Sequence, residues 1–337
     1  MKYAILFILL IQFNLFCQQN IGRITGIILD KNTFQPIENV NVVISNTYFG
    51  SVSLSDGTFE ITKLPLGIHE VVISCIGYEI TVKRVNVANS KKLKIFLTPK
   101  TYNLDKVNIV GEVPEKWNED YEVFSKLFIG EEGFYEDCKI LNKEIIQFSW
   151  HNDVMKAFAD EPLIVLNKAL GFKIDCYLIN FQWEKYKGII KYSIKTKFTD
   201  LDSLKSEIVN ENRKAAYNGT IEHFLKCLVK DEVLEGGYKV YYNSSSFDTR
   251  LRSNMDKIIA RDELVKQVAD KDLFIFKCDG YLKIINDRNI SWLRLNQKQV
   301  MLDKNGFPID HFPFEVQGYW ARMGISEMVP KYFEFED

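Results

Sequence analysis

The side chains able to do chemistry in this 337-residue chain raise one question: whether their spacing assembles a site. Four are histidines, His69, His151, His223 and His311. Zinc takes three or four nitrogen, sulfur or carboxylate ligands, and the pattern H-E-x-x-H supplies two of them from one helix face. No such motif occurs. The histidines are far apart among ordinary strand and helix residues, so no metal or other cofactor is assigned. G-x-S-x-G, the P-loop and G-x-G-x-x-G are also absent, which leaves neither an activated serine nor a phosphate cradle. Ser244-Ser245-Ser246 sits in a polar loop with no adjacent base. Glu131-Glu132 and Asp160-Glu161 pair carboxylates, but sequence neighbours point apart on regular structure, whereas a glycosidase needs its two carboxyls about 5 to 9 Å apart in space. The aromatic clusters Phe148-x-Trp150-His151, Phe181-x-Trp183, Trp292 and Tyr319-Trp320 read as packed core rings before they read as a sugar-stacking surface. No catalytic residue is assigned. The most informative polar patch is Arg213, Tyr217 and His223, placed to meet at a helix–helix junction where buried polar groups fix geometry.

The elements that must position these residues begin after a leader. Met1-Lys2 is a short positive end and Tyr3 to Ile11 an unbroken apolar run, too short for a membrane span of about 20 apolar residues. Residues 1–19 therefore read as a signal peptide. Cleavage near Cys17 is preferred to a lipid anchor on it, because Phe16 stands where a lipoprotein signal needs a small residue. Export to the periplasm or outer membrane follows, with no transmembrane helix once the leader is removed. Composition agrees with folded domains: 46% hydrophobic, 13% aromatic and a net charge of only -2. With acidic and basic residues interspersed, nucleic acid is a poor partner. Five widely spaced cysteines remain after the leader, with no C-x-x-C, which is not a disulfide framework.

Between Ile21 and Leu97 short strands alternate with turn chemistry. Arg23 to Leu29 is stopped by Asp30-Lys31-Asn32, and Val40, Val42 and Ile44 alternate with polar neighbours. Asp56-Gly57 reads as a hairpin turn, Leu64-Pro65-Leu66-Gly67 as a type I turn, and Gly77-Tyr78 ends Ile68 to Ile76. Ile80 to Val87 and Leu93 to Leu97 complete about seven strands with no helical period, the mark of an antiparallel sandwich. The residues Gly26, Asp30, Thr33, Pro36-Ile37, Val40-Asn41-Val42, Thr47, Gly50, Asp56-Gly57-Thr58-Phe59, Leu64-Pro65-x-Gly67 and Ser74-x-Ile76-Gly77-Tyr78 resemble the carboxypeptidase-regulatory-like (transthyretin-like) domain. That resemblance implies a seven-stranded β-sandwich of structural or adhesive role, not itself catalytic. Leu54 departs from the pattern, which usually has an aspartate there, and this removes a charged cation site from the hairpin.

The chain then divides into a linker, 99–116, and an α+β domain, 117–337. Leu104 to Gly111 resembles the segment that leads into the plug and barrel of large envelope receptors, but the roughly 220 residues that follow are interrupted by helices and do not suit such a barrel. Trp117, Tyr121, Phe124 and Phe128 have helical spacing with Gly130 beyond as C-cap. Strands are expected at 144–150, 172–183 and 188–198, the last with Ile190 to Phe198 inward and its lysines outward. Leu204, Ile208 and Ala215 suit one helix. Thr220 caps a second, whose apolar stripe Ile221, Phe224, Leu225, Leu228 and Val229 runs to Glu235-Gly236-Gly237. Strands at 238–242, 273–278 and 281–285 follow, then Trp292 to Leu302 paired across Asn305-Gly306. Asn212-Arg213-x-x-Ala216-Tyr217-Asn218-Gly219-Thr220-x-x-His223-Phe224-Leu225, Gly318-Tyr319-Trp320-Ala321 and Met328-Val329-Pro330 are similar to segments of bacterial proteins carrying the same N-terminal module. The expected fold is mainly β, a sandwich followed by an α+β domain with an antiparallel sheet and a helical pair. The expected function is a non-enzymatic envelope protein that binds another envelope protein. The alternative is a hydrolase or glycan-binding protein with a site dispersed over the second domain.

Overall fold

The computed structural model describes residues 21–89, 91–100, 115–201, 206–243, 257–269, 272–309 and 313–333. The leader, most of the linker, Leu204, the serine run and His311 lie outside the described residues. The chain forms two compact units, Met1–Lys106 and Val107–Asp337.

In the first unit the alternating sequence becomes seven strands: β1 (Ile21–Asp30), β2 (Asn41–Ile44), β3 (Gly50–Val52), β4 (Thr58–Pro65), β5 (Ile68–Ser74), β6 (Thr81–Asn86) and β7 (Leu93–Leu97). They make a three-stranded sheet, β4-β1-β7, and a four-stranded sheet, β3-β2-β5-β6. Inward residues of both, among them Ile28, Val42, Phe59, Val71, Ile73 and Ile95, form one core cluster, as alternation along half-buried strands requires. The sandwich is as expected, with two refinements. β7 adds to β1 in parallel, Gly26 opposite Leu93. Asp56-Gly57 does not join paired strands: β3 pairs with β2 and β4 with β1, so the turn carries the chain from one sheet to the other. Local chemistry set the reversal there. The Asp56 carboxylate accepts from the Thr58 amide at 2.9 Å and its hydroxyl at 2.6 Å, while Gly57 takes φ +75°.

The second unit opens with helix α1 (Glu115–Ile129), followed by β8 (Cys138–Ile140), β9 (Gln147–His151), β10 (Val154–Phe158), β11 (Leu163–Asn167), β12 (Phe172–Glu184) and β13 (Ile189–Asp200). β12 is the spine of a six-stranded sheet, paired along its length with β13 on one side and with β11 and β10 in turn on the other. Only the second half of β13 has the predicted core face: Thr196 and Phe198 are buried but Tyr192 is exposed. Phe124 of α1 meets Phe148 and Phe181 of the sheet, ring centres 5.8 and 4.8 Å away, and Gly130 follows the helix at φ +102° as its C-cap.

Two helices come next, α2 (Glu207–Tyr217) and α3 (Ile221–Lys230). Both caps are side-chain oxygens, Ser206 accepting from the Val209 amide and Thr220 from the His223 amide. The α2 stripe differs from the expected one. Ile208 is 67% exposed and Ala215 is exposed, while Val209, Arg213 and Ala216 face inward. Nor does α3 run to the glycines. It stops at Asp231, whose left-handed conformation (φ 63°) ends the helix. Ten residues are too few to hold a helix alone in water. Burial of Phe224, Leu225, Leu228 and Val229, at about 1.5–3 kcal/mol each, is what holds it.

That stripe packs on β14 (Tyr238–Asn243), β16 (Val265–Gln267), β17 (Leu273–Phe276), β18 (Tyr281–Asn286), β19 (Asn289–Leu295), β20 (Val300–Asp303) and β21 (Phe314–Gly318), with short helices α4 (Arg261–Leu264) and α5 (Tyr319–Arg322), while β15 (Lys257–Ile258) pairs with β14 and is exposed. The order is β15-β14-β18-β19-β21 in one sheet and β16-β17-β20 in another. The expected strand from Trp292 to Leu302 is thus two strands in different sheets. β21 pairs with β19, and the turn at Asn305-Gly306 is held by Asp303, whose carboxylate accepts from the Asn305 and Phe307 amides.

Candidate functional site

Of the three patch residues, two meet. The Tyr217 and His223 rings lie 5.1 Å apart at the α2–α3 corner. His223 Nδ1 accepts from the Gly219 amide at 3.3 Å and lies 3.0 Å from the Tyr238 hydroxyl. The first contact needs an unprotonated Nδ1, so the ring is the neutral Nε2–H tautomer. Burial, with Lys226 adding to it, holds its pKa below the usual histidine value. Arg213, one turn earlier, reaches away from this pair. It is buried, donates from Nε to the Leu170 carbonyl at 2.7 Å and from a terminal nitrogen to Asp200 at 2.8 Å, and stacks on Phe172 at 4.0 Å. Arg213 therefore fastens α2 to the β11–β12 turn.

The segment after β21 joins the same junction. The Trp320 indole donates to the Gly219 carbonyl at 2.6 Å and its ring packs on Phe224. Asn167, fully buried at the end of β11, donates to the Ser326 carbonyl at 2.9 Å and accepts from the Leu170 amide. The Asn212–Leu225 and Gly318–Ala321 segments, singled out separately in the sequence, are thus two sides of one packed junction. It joins the six-stranded sheet, the helical pair and the five-stranded sheet.

The carboxylate pairs part company. Glu131 binds Lys126 at 2.7 Å, Glu132 binds Arg322 at 2.6 Å, and Asp160-Glu161 sits between β10 and β11. The sequence reading missed Glu327, in the 3-10 turn Ile325–Glu327. It is buried, and that burial together with the nearby Glu132 charge pushes its carboxyl up to about 7. No sequence signal marks it, because Glu132 approaches from the far end of the unit's sequence.

The remaining candidates are engaged in the fold. Trp150 donates to Asp120 and Trp117 to the Ile146 carbonyl, both at 3.0 Å, while Trp292 is 7% exposed. Buried His69 contacts the Pro65 carbonyl at 2.8 Å. Among the described residues, no three His, Cys, Asp or Glu side chains are grouped to hold a metal. The described cysteines are free thiols, and burial raises the pKa of Cys138 to about 12, away from nucleophilic use. A cleft of about 340 Å³ is lined by Tyr242, Lys257, Ile259, Glu263, Lys277 and Cys278 among others. Its Lys257 lies 3.9 Å from Glu263 and burial raises its Cys278 thiol, so it presents no assembled nucleophile.

Residues 24–109 match the family described as CarboxypepD_reg-like domain. A TonB-dependent receptor, P39, of Formosa agariphila is 32% identical over 113 residues, a third of this chain (33%). The chain spans about a tenth (10%) of that relative's length. Among solved structures, a Bacteroides uniformis protein described as carbohydrate-binding aligns with 53% of this chain and 79% of its own at 10% identity and a TM-score of 0.20. A 9R-lipoxygenase from Cyanothece aligns with 64% of this chain and 48% of its own at 12% identity and a TM-score of 0.17.

Proposed function

We propose, from the premise that a CarboxypepD_reg-like domain precedes an α+β unit, that this chain is a non-enzymatic exported protein of the bacterial envelope. Its role is protein interaction or assembly at the periplasm or outer membrane, with another envelope protein as partner. One observation carries this reading. Arg213 of the polar patch, with Trp320 and Asn167 at the same junction, turns inward onto the carbonyls of Leu170, Gly219 and Ser326 respectively. Such bonds fix architecture, since a buried carbonyl left without its donor costs about 1–3 kcal/mol. The apolar leader and the similarity to a TonB-dependent receptor support the envelope. Among the described residues no helix is long and apolar enough to cross a membrane.

The test is a tagged full-length chain expressed in its own bacterium, crosslinked in intact cells and fractionated. The expected result is recovery in the envelope with one reproducible crosslinked partner that is lost when residues 21–98 are deleted. Recovery in the cytosol, or hydrolysis of a peptide or glycan panel by the purified chain, overturns the reading.

A further inference from the structure

The six-stranded sheet has one covered face and one open face, and residues directly opposite each other on paired strands share a face. Phe172, Ile174, Phe181 and Phe198 lie on the buried one, under Phe124 of α1 and Arg213 of α2. Strand register gathers lysines on the other. Lys139, Leu166, Lys173 and Thr199 form one row across β8, β11, β12 and β13. Ser149, Lys156, Gln182 and Lys191 form a second across β9, β10, β12 and β13. Lys197 and Lys195 stand between the rows, opposite Asp175 and Tyr177. These six lysines meet two strand carboxylates, Asp175 and Glu184, in a chain whose 43 basic and 45 acidic residues nearly balance. Asp175 engages Lys173 at 3.5 Å and Glu184 engages Lys191 at 3.0 Å. Among the described residues, no carboxylate lies within ion-pair distance of Lys139, Lys156 or Lys197.

We propose that this open face is a docking surface for an anionic lipid bilayer. The unbalanced positive charge calls for a polyanion, and each lysine held near an anionic membrane strengthens binding about fivefold. Among the described residues the face has no arginine, whereas protein interfaces are enriched in arginine and depleted in lysine. Two aliphatic side chains stand exposed beside the lysines: Leu141, two residues beyond Lys139, and Ile189, opposite Glu184. The β12–β13 hairpin closes on Lys185-Tyr186-Lys187, and Tyr186 is 79% exposed. Lysine stems, aliphatic tips and a tyrosine ring suit the headgroup layer, which takes an apolar body and leaves the polar end in water. This contact is separate from the protein partner assigned to residues 21–98, and either can fail without the other.

The test is co-sedimentation of the full-length chain with vesicles of phosphatidylcholine alone, or with about one lipid in three replaced by phosphatidylglycerol. The leader is common to every arm, so the readout is the ratio of affinities, anionic over neutral. The parent is expected to favour anionic vesicles by about a hundredfold or more at low salt. Most of that preference should vanish near 1 M salt, where charges are screened within about 3 Å. Lys139→Gln, Lys156→Gln and Lys197→Gln together should lower the ratio about a hundredfold, three steps of about fivefold. If that triple does not fold, Lys139→Gln with Lys156→Gln, at two exposed positions, should lower it about twenty-fivefold. Lys239→Gln, Lys266→Gln and Lys298→Gln, which remove as much charge from exposed positions outside this sheet, should leave it within about threefold. A parent ratio near one, a ratio indifferent to salt, or equal losses in the two triples would each overturn the proposal. So would a face triple that keeps the parent ratio but loses the crosslinked partner, which would make the face a protein interface.

Discussion

Arg213→Ala separates an architectural arginine from a ligand-binding one. Truncation removes the donor to the Leu170 carbonyl, the partner of Asp200 and the cation stacked on Phe172. A hydrogen bond to a charged group is worth about 1.5–3 kcal/mol, and the cation–π contact about 0.5–2. The ion pair adds less, about 0–1 kcal/mol, because the Asp200 side chain is 33% exposed and regains water once freed. The total is about 2–6 kcal/mol. All five tryptophans, Trp117, Trp150, Trp183, Trp292 and Trp320, fall in the second unit, so urea unfolding followed by tryptophan emission reports that unit alone. For a unit of this size the urea slope is about 2–3 kcal/mol per molar, so the midpoint should drop by about 0.7–3 M. Arg213→Lys keeps the charge but loses the planar fork, and should fall between parent and alanine. An alanine midpoint within about 0.3 M of the parent, on the same slope, would refute the architectural role and return Arg213 to the candidates for ligand recognition.

Trp320→Phe retains a ring against Phe224 but leaves the Gly219 carbonyl without its indole donor. A loss of about 1–3 kcal/mol is expected from the same urea transition read on the other four tryptophans, and an unchanged midpoint would show that the bond does not hold the junction. His223 titrates with the opposite sign to Glu327. Burial depresses its pKa, so the unfolded chain binds more protons below the ordinary histidine value, and stability falls as pH drops from about 6.5 toward 5. His223→Gln should flatten that part of the urea midpoint–pH curve, and a slope equal to the parent's would contradict a neutral buried ring.

What could be read locally in the sequence was whatever the chain encodes within a few residues. Gly130 announced the end of α1, Thr220 the start of α3, and the alternation of Leu93 to Leu97 a strand with those limits. Sheet membership is a long-range property, and there the reading failed. Asp56-Gly57 has all the chemistry of a hairpin yet links strands of different sheets, and the run from Trp292 to Leu302 is divided between two. Burial of a charged residue is equally non-local. The spacing puts Arg213 at a helix–helix junction with Tyr217 and His223, yet the carbonyls that hold it, Leu170 and Gly171, arrive from the preceding sheet. The same reversal befell the one carboxylate pairing with unusual electrostatics. Adjacent Glu131 and Glu132 diverge to Lys126 and Arg322, as neighbours on a loop do, and the carboxyl that Glu132 influences is Glu327, from the other end of the unit. Spacing in sequence identifies pairs on one element, so chemistry assembled across a chain crossing becomes visible only when the crossing is. In this protein the loop after α1 crosses the chain after α5 at Gly324, where no side chain fits, and that crossing places those two carboxyls together.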